Sequence, residues 1–237
     1  MIQAVGVVVP AHDEQDLLPS CLASLRRAED ALRGIPVHLV VVADACRDRT
    51  AQAARRAGAA VVTIGARCVG AARAAGVREV LRQTRNLDPA AVWLANTDAD
   101  TVVPASWLAR QARYADSGWD VVAGTIRVGD WSGYPPGVRS AFGDQYGDDD
   151  GFHWHGHVHG ANLGFRAAAY LAAGGFPPAP TAEDRALVTA MTAAGCRVLR
   201  TSALTVVTSA RREARAPHGF SGYLADLDAQ QGSAGTG

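Results

Sequence analysis

Lysine is absent from the 237-residue sequence. All 23 basic side chains are therefore arginines, and any phosphate met by a basic side chain meets a planar guanidinium suited to bidentate binding. Net charge is absent too, because 23 acidic residues balance the arginines. Nothing in that balance argues for a general affinity for nucleic acid or for anionic membranes. No apolar run approaches the ~20 residues that a membrane-spanning helix needs. Cysteine is scarce: Cys21, Cys46, Cys68 and Cys196 are scattered, and no pair has metal-site spacing. This pattern suits buried thiols in a reducing, cytoplasmic compartment. Met1 leads straight into Ile2, Gln3, Ala4 and Val5 without a basic stretch and a long apolar segment, so no signal peptide is expected. Internal repeats are also missing.

What is present is a core-forming composition, 48% hydrophobic, with strand and helix patterns in alternation. Short apolar runs at residues 4–9, 37–43, 59–64, 90–95 and 121–128, the first of them rich in Val, predict buried strands. Between them, residues 16–25 carry a helical apolar stripe of Leu17, Leu18, Cys21, Leu22 and Leu25. Residues 50–57 and 69–83 and a segment opening at Pro104 also read as helices. Alternation of this kind predicts an α/β fold with a mostly parallel central sheet and helices on both faces. Ligands bind such sheets at the C-terminal ends of the strands. The loops at residues 10–14, 44–50 and 96–101 fall at that edge, and all three carry carboxylates.

The last of these loops contains Asp98-Ala99-Asp100. In an extended segment both side chains point the same way, and two crowded carboxylates call for a positive partner. Mg²⁺ or Mn²⁺ is the natural occupant, with phosphate oxygens as further ligands. The competing reading is a plain turn after a strand.

The later part of the chain is less regular. Residues 129–151 are rich in Gly, Pro, Tyr and Asp, with a short helix expected at 138–146. They read as a cleft-covering insertion or as a surface connection. His153, His155, His157 and His159 alternate and on a strand would share one face. No cysteine or carboxylate completes a zinc spacing among them, so a cleft wall contacting sugar hydroxyls or phosphate is expected instead. Thr181-Ala182-Glu183-Asp184 precedes an amphipathic helix, where acids also suit the helix dipole. A long strand is expected at residues 197–208, with Arg211, Arg212 and Arg215 after it as phosphate contacts. A Gly- and Ser-rich tail is expected from Gln230 onward.

In order, Val7-Val8-Val9-Pro10-Ala11-His12-Asp13-Glu14, Val41-Val42-Ala43-Asp44, Ala72-Arg73-Ala74-Ala75-Gly76, Asp98-Ala99-Asp100, Gly160-Ala161-Asn162, Gly174-Gly175-Phe176 and Glu183-Asp184 resemble family-2 glycosyltransferases of the Rossmann-like GT-A fold. The resemblance covers residues 4–215. It implies a UDP- or GDP-linked sugar donor and a divalent metal, Mg²⁺ or Mn²⁺. By position it puts Pro10, Ala11 and Glu14 at the base and ribose, Asp44 at the edge of the uracil or guanine, and Arg73 near the diphosphate. Asp98 would contact ribose, sugar or metal, and Asp100 the metal. His218 stands where such folds often place a third metal ligand. Asp184 with Glu183 matches the acidic pair that supplies the general base in inverting members. His159 and Asn162 are assigned to the acceptor.

Two departures stand out. Asp13 replaces the Asn common in the first loop, and the Gln-x-x-Arg-Trp motif of processive synthases is missing. With no membrane helix, that points to transfer of one sugar onto a small or lipid-linked acceptor rather than to polymer synthesis. One domain is expected over residues 1–228, with a nucleotide-binding half to about 128 and an acceptor half after it. Residues 229–237 would be a flexible tail. A homodimer is compatible with the sequence.

Two enzyme alternatives fit their loops less well, and the nucleotidyltransferase stays open as an alternative. A dinucleotide dehydrogenase would need Gly-x-Gly-x-x-Gly after a strand, and a sugar nucleotidyltransferase would show a Gly-rich, basic first loop instead of Pro10-Ala11-His12-Asp13-Glu14. A non-catalytic nucleotide-sugar or glycan-binding protein on the same fold has no need to keep Asp98, Asp100 and Asp184 together.

Overall fold

The computed structural model describes residues 1–146, 156–211 and 220–234. In chain order the first half runs β1 (Ala4–Ala11), α1 (Leu18–Ala31), β2 (Val37–Asp44), α2 (Thr50–Arg56), β3 (Ala60–Ile64), α3 (Val69–Gln83), β4 (Val92–Asn96), α4 (Trp107–Asp116) and β5 (Val121–Val128). The second half continues with α5 (Pro136–Tyr146), β6 (Leu163–Arg166), α6 (Ala167–Ala172), α7 (Glu183–Ala193), β7 (Val198–Thr208) and α8 (Phe220–Ala234). The seven strands form one sheet in the order β3-β2-β1-β4-β6-β5-β7.

β1 pairs in parallel with β2 and β4, β2 with β3, and β5 with β7. Only β6 runs the other way, antiparallel to both β4 and β5. The expected mostly parallel sheet with helices on both faces is therefore present. Period-two alternation explains the layering. Val5, Val7 and Val9 of β1 face Leu18, Leu22 and Leu25 of α1, in a core that includes Trp93, Trp107 and Leu108. Val8 faces the other way, into a core with Val77, Val80, Leu94, Phe165, Leu187 and Met191. Both faces of the strand are apolar because both are covered.

α3 lies close against the sheet. A Cβ on Gly76 would stand 2.4 Å from a methyl of Val8, so only glycine permits this approach. The close fit matters for function, since α3 carries Arg73.

Several boundaries differ from expectation. α4 begins at Trp107 rather than Pro104, which instead accepts the Trp107 N–H in a preceding turn. Residues 156–159 form no strand, so the shared histidine face is not realised there; His153 and His155 lie outside the described residues. Residues 230–234, expected as tail, continue α8. Leu224 and Leu227 of that helix pack with Tyr134, Val138 and Phe142 of the α5 region, and this packing outweighs the Gly and Ser content. Among the described residues, no helix is long and apolar enough to cross a membrane.

Candidate active site

A cavity of about 980 Å³ opens at the C-terminal edge of the sheet. The strand order reverses direction between β1 and β4, the switch point at which open α/β sheets bind ligands. Its walls include Pro10, Ala11 and Glu14 after β1, Asp44 at the end of β2, Arg73 on α3, and Asp98 and Asp100 after β4. The segment leading into the reversed strand β6 supplies the opposite wall. Because β6 starts at this edge, the residues that feed it, His157 to Ala161, also line the cavity, together with Glu183 and Asp184.

Backbone strain collects around the same space. Asp13, Ala45, Arg67 and Ala182 all have positive φ, between 48° and 59°. They are the non-glycine residues in that region among the described residues, and each sits in a loop bordering the cavity. Strain of this kind persists where the surroundings dictate the conformation. Ala182, at φ 59° just ahead of α7, gives a direct check. Ala182→Gly removes the Cβ clash and is expected to stabilise the protein by about 0.5–1 kcal/mol in urea unfolding.

Arg73 is the keystone of the site. It is 2% exposed and donates from Nε to Glu183 Oε1 at 2.9 Å and from Nη2 to Asp98 Oδ1 at 2.7 Å. Burial works against its charge, but Asp98, Glu183 and Asp184 outweigh it and hold the guanidinium protonated. Nη1 is buried without a partner, which leaves a charged donor for an incoming oxygen. Gly160 makes room for this side chain: a Cβ there would lie 2.3 Å from Nη2. The Gly160 N–H also donates to Asp184 Oδ2 at 2.6 Å. One arginine and one glycine thus fix both acids at the start of α7.

Asp98 and Asp100 do not share an extended strand. The Thr101 N–H bonds the Asp98 carbonyl, so the pair sits on a turn. Both still reach the cavity, each with its own arginine. Asp98 takes Arg73, and Asp100 Oδ2 lies 3.1 Å from Arg211 Nη2. Arg211 also grips Glu14, with Nη1 2.6 Å from Oε1 and 2.8 Å from Oε2. Burial foremost, then Asp98 and Glu14, push the Asp100 carboxyl up to about 6 against the pull of Arg211. The local field is therefore short of positive charge, and the pair fits a divalent cation on these grounds.

The same shift carries a pH dependence. The folded chain keeps a proton on Asp100 that the unfolded chain loses near pH 4. Stability from this group is full below about pH 4 and falls as pH rises through about 6. In EDTA, Asp100→Asn is expected to remove a loss of up to about 3 kcal/mol between those limits, measured by urea unfolding against pH.

At the other end, Asp44 is spoken for in part. Its two oxygens accept the backbone N–H groups of Arg67 and Cys68, each at 2.8 Å, which ties the approach to α3. Only its remaining lone pairs face a ligand. His12 Nδ1 lies 2.6 Å from the Asp44 carbonyl, and Nε2 lies 3.3 Å from Arg67 Nη2. A proton on Nδ1, with Nε2 accepting from Arg67, satisfies both contacts. Asp13, Cys46 and Asp48 cluster nearby within 4.8 Å. Asp13 and Asp48 already accept backbone N–H groups: Asp13 from Arg47 and Asp48, Asp48 from Gln15 and Thr50. These bonds brace the loops after β1 and β2.

Of the residues expected at the site, Asn162 is the one the structure removes. It is fully buried. Its Oδ1 accepts from Trp107 Nε1 at 2.8 Å, and its Nδ2 donates to the Thr125 and Leu204 carbonyls at 2.8 and 2.7 Å. It plugs the irregular register between β5 and β7 at Gly124 and Thr125, and it does not line the cavity. His159 does line the cavity, its ring stacked on His157 at 5.8 Å. His218, Arg212, Arg215 and Asp148 to Asp150 lie outside the described residues. Sequence reasoning missed His12, Arg67, Phe220 and Tyr223 as wall residues. His12 was in plain view beside Pro10 and Ala11, whereas Phe220 and Tyr223 reach the cavity only through the packing of α8.

A sequence model described as glycosyl transferase family 2 matches residues 6–172. The chain belongs to glycosyl transferase family 2. Glu183 and Asp184 of this family 2 chain lie beyond the matched span. Among solved structures, it is similar to residues 1–349 of S. aureus TarS in complex with UDP-GlcNAc, at 15% identity and a TM-score of 0.65 over 93% of this chain and 62% of that one. It is similar also to the mannosyltransferase PcManGT from Pyrobaculum calidifontis in complex with GDP-Man and Mn²⁺, at 19% identity and a TM-score of 0.61 over 98% and 75%. A third likeness is to M. tuberculosis glucosyl-3-phosphoglycerate synthase, at 15% identity and a TM-score of 0.55 over 96% and 77%. At such identities the likeness is one of fold, and it bears out the α/β, GT-A-like architecture of this family 2 member. The chain spans about three fifths of the TarS chain it matches. No curated protein matches the sequence.

Proposed function

We propose that the protein transfers one sugar from a UDP- or GDP-linked donor to a hydroxyl of a small or lipid-linked acceptor. The observation that carries this reading is the juxtaposition, across Arg73, of Asp98 on the β4 side with Glu183 and Asp184 on the α7 side. The first place suits a leaving diphosphate and the second an attacking hydroxyl. Residues 1–228 act as one domain, with the nucleotide held by the part up to about residue 128 and the acceptor by the rest. Supporting the donor class, TarS and PcManGT are described with UDP-GlcNAc and GDP-Man.

Pro10, Ala11 and Glu14 with Asp44 receive the base and ribose. Arg73 offers its unpartnered Nη1 to the diphosphate or the sugar. Asp98 and Asp100 would hold Mg²⁺ or Mn²⁺, as the Mn²⁺ of the PcManGT complex suggests, and when bound that ion neutralises charge on the leaving diphosphate. In transfer, the acceptor oxygen forms its bond to the anomeric carbon as the bond to the diphosphate breaks, and the electron pair leaves with the nucleotide. In an inverting reaction the acceptor proton passes to Asp184, held in place by the Gly160 N–H. In a retaining one Asp184 orients the acceptor.

Calorimetry with UDP, GDP and their sugars, with and without Mn²⁺, tests the proposal. Micromolar binding of one nucleoside diphosphate is expected. No binding of either nucleotide in any metal condition refutes it.

A further inference from the structure

Asp98 and Asp100 each meet an arginine, but the two arginines are held very differently. Arg73 sits on α3, is 3% exposed at its side chain, and is locked between Glu183, Asp98 and Gly160. Arg211 follows the end of β7 at Thr208 by three residues, belongs to no helix or strand, and is 23% exposed. It reaches 197 residues back along the chain to Glu14 and spans from there to Asp100. Glu14 and Asp100 are 5% and 11% exposed, and this one guanidinium pairs with both of these deeply placed acids. Its own fork is only partly used: Nε is buried without a partner.

We infer that Arg211 is the resident cation of the Asp100 site, and that it gives way to the divalent ion and moves onto the donor's diphosphate. The inference rests on the cation and donor reading above. Three physical points carry it. A divalent ion on Asp98 and Asp100 would stand beside the Arg211 guanidinium, and two positive charges at that range repel strongly. The ion cannot displace Arg73, because the helix and the Gly160 contact hold it. A diphosphate brings new negative charge to the same place, and arginine binds phosphate oxygens through its planar fork. Cation and nucleotide therefore favour each other's binding, and by linkage the effect is reciprocal. Without nucleotide, Arg211 keeps the cation out.

The test is calorimetric titration of Mn²⁺ into the full-length protein, with and without UDP or GDP, for the parent and for Arg211→Met, which keeps the apolar stem. Arg211→Met is expected to bind Mn²⁺ alone about tenfold more tightly than the parent does. With Mn²⁺ saturating, it is expected to bind the nucleoside diphosphate about tenfold more weakly. A second readout is melting temperature: Mn²⁺ alone should raise that of Arg211→Met by more than that of the parent. If Arg211→Met does not fold, Arg211→Lys decides, since a lysine cannot span both acids as the fork does and should show the same trends in smaller degree. Unchanged or weaker Mn²⁺ binding in the variant, while the parent binds Mn²⁺ with nucleotide, overturns the exchange and leaves the cation site standing. No Mn²⁺ binding by either protein, with or without nucleotide, overturns both.

Discussion

Asp184→Asn is expected to lower sugar transfer by about 10²–10⁴-fold, the usual weight of a general base, while nucleotide binding stays within about twofold. The substitution is chosen for what it retains. An asparagine oxygen can still accept the Gly160 N–H that Asp184 Oδ2 accepts at 2.6 Å, so the turn ahead of β6 and the space for Arg73 are preserved. What disappears is the capacity to take a proton. Steady-state transfer assays beside calorimetric donor titrations check both halves. A variant that keeps more than about a tenth of parental turnover refutes the base role, and one that also loses the donor shows that the acid serves the nucleotide instead.

The second large effect is on stability. Arg73→Met is expected to destabilise the fold by about 3–5 kcal/mol, as when one partner of a buried ion pair is removed. Most of that loss comes from Glu183, whose side chain is 5% exposed, and less from Asp98, which at 37% can turn to water. Burial already pushes the Glu183 carboxyl up, and Arg73 is the principal force holding it down. The damage should therefore be smaller at pH 5 than at pH 8, because protonation relieves the stranded charge. The double variant Arg73→Met, Glu183→Gln should recover about half of the loss, and the cycle of the four proteins gives the coupling directly. Urea unfolding at both pH values measures it. A loss under about 1 kcal/mol at pH 8 contradicts the keystone role.

The nucleotide-side architecture was legible because local signals coincide there. Apolar runs, a turn residue and a carboxylate recur at β1, β2 and β4, and the period of each run fixes which way its side chains face. α3 and β5 were read to the residue for the same reason. The acceptor side was harder, because its placement depends on long-range pairing. The direction of β6 follows from its neighbours β4 and β5, and a four-residue strand carries no sign of its own orientation. Asn162 shows the limit sharply. A polar residue in a Gly160-Ala161-Asn162 motif suggests a ligand contact, yet its amide is consumed by Trp107, Thr125 and Leu204, partners 37 to 55 residues away along the chain. Arg211 is the converse case. The sequence marks it as a phosphate contact, and only the folded chain brings it against Glu14 and Asp100.

The reversed strand has a mechanical consequence. Since β6 is laced between β4 and β5, the two banks of the cavity are stitched into a single sheet, and they cannot swing open about a hinge without tearing ladder bonds. Traffic of nucleotide in and out then falls to the parts of the rim that the sheet does not hold, among them Ser209 and Arg211 beyond the end of β7.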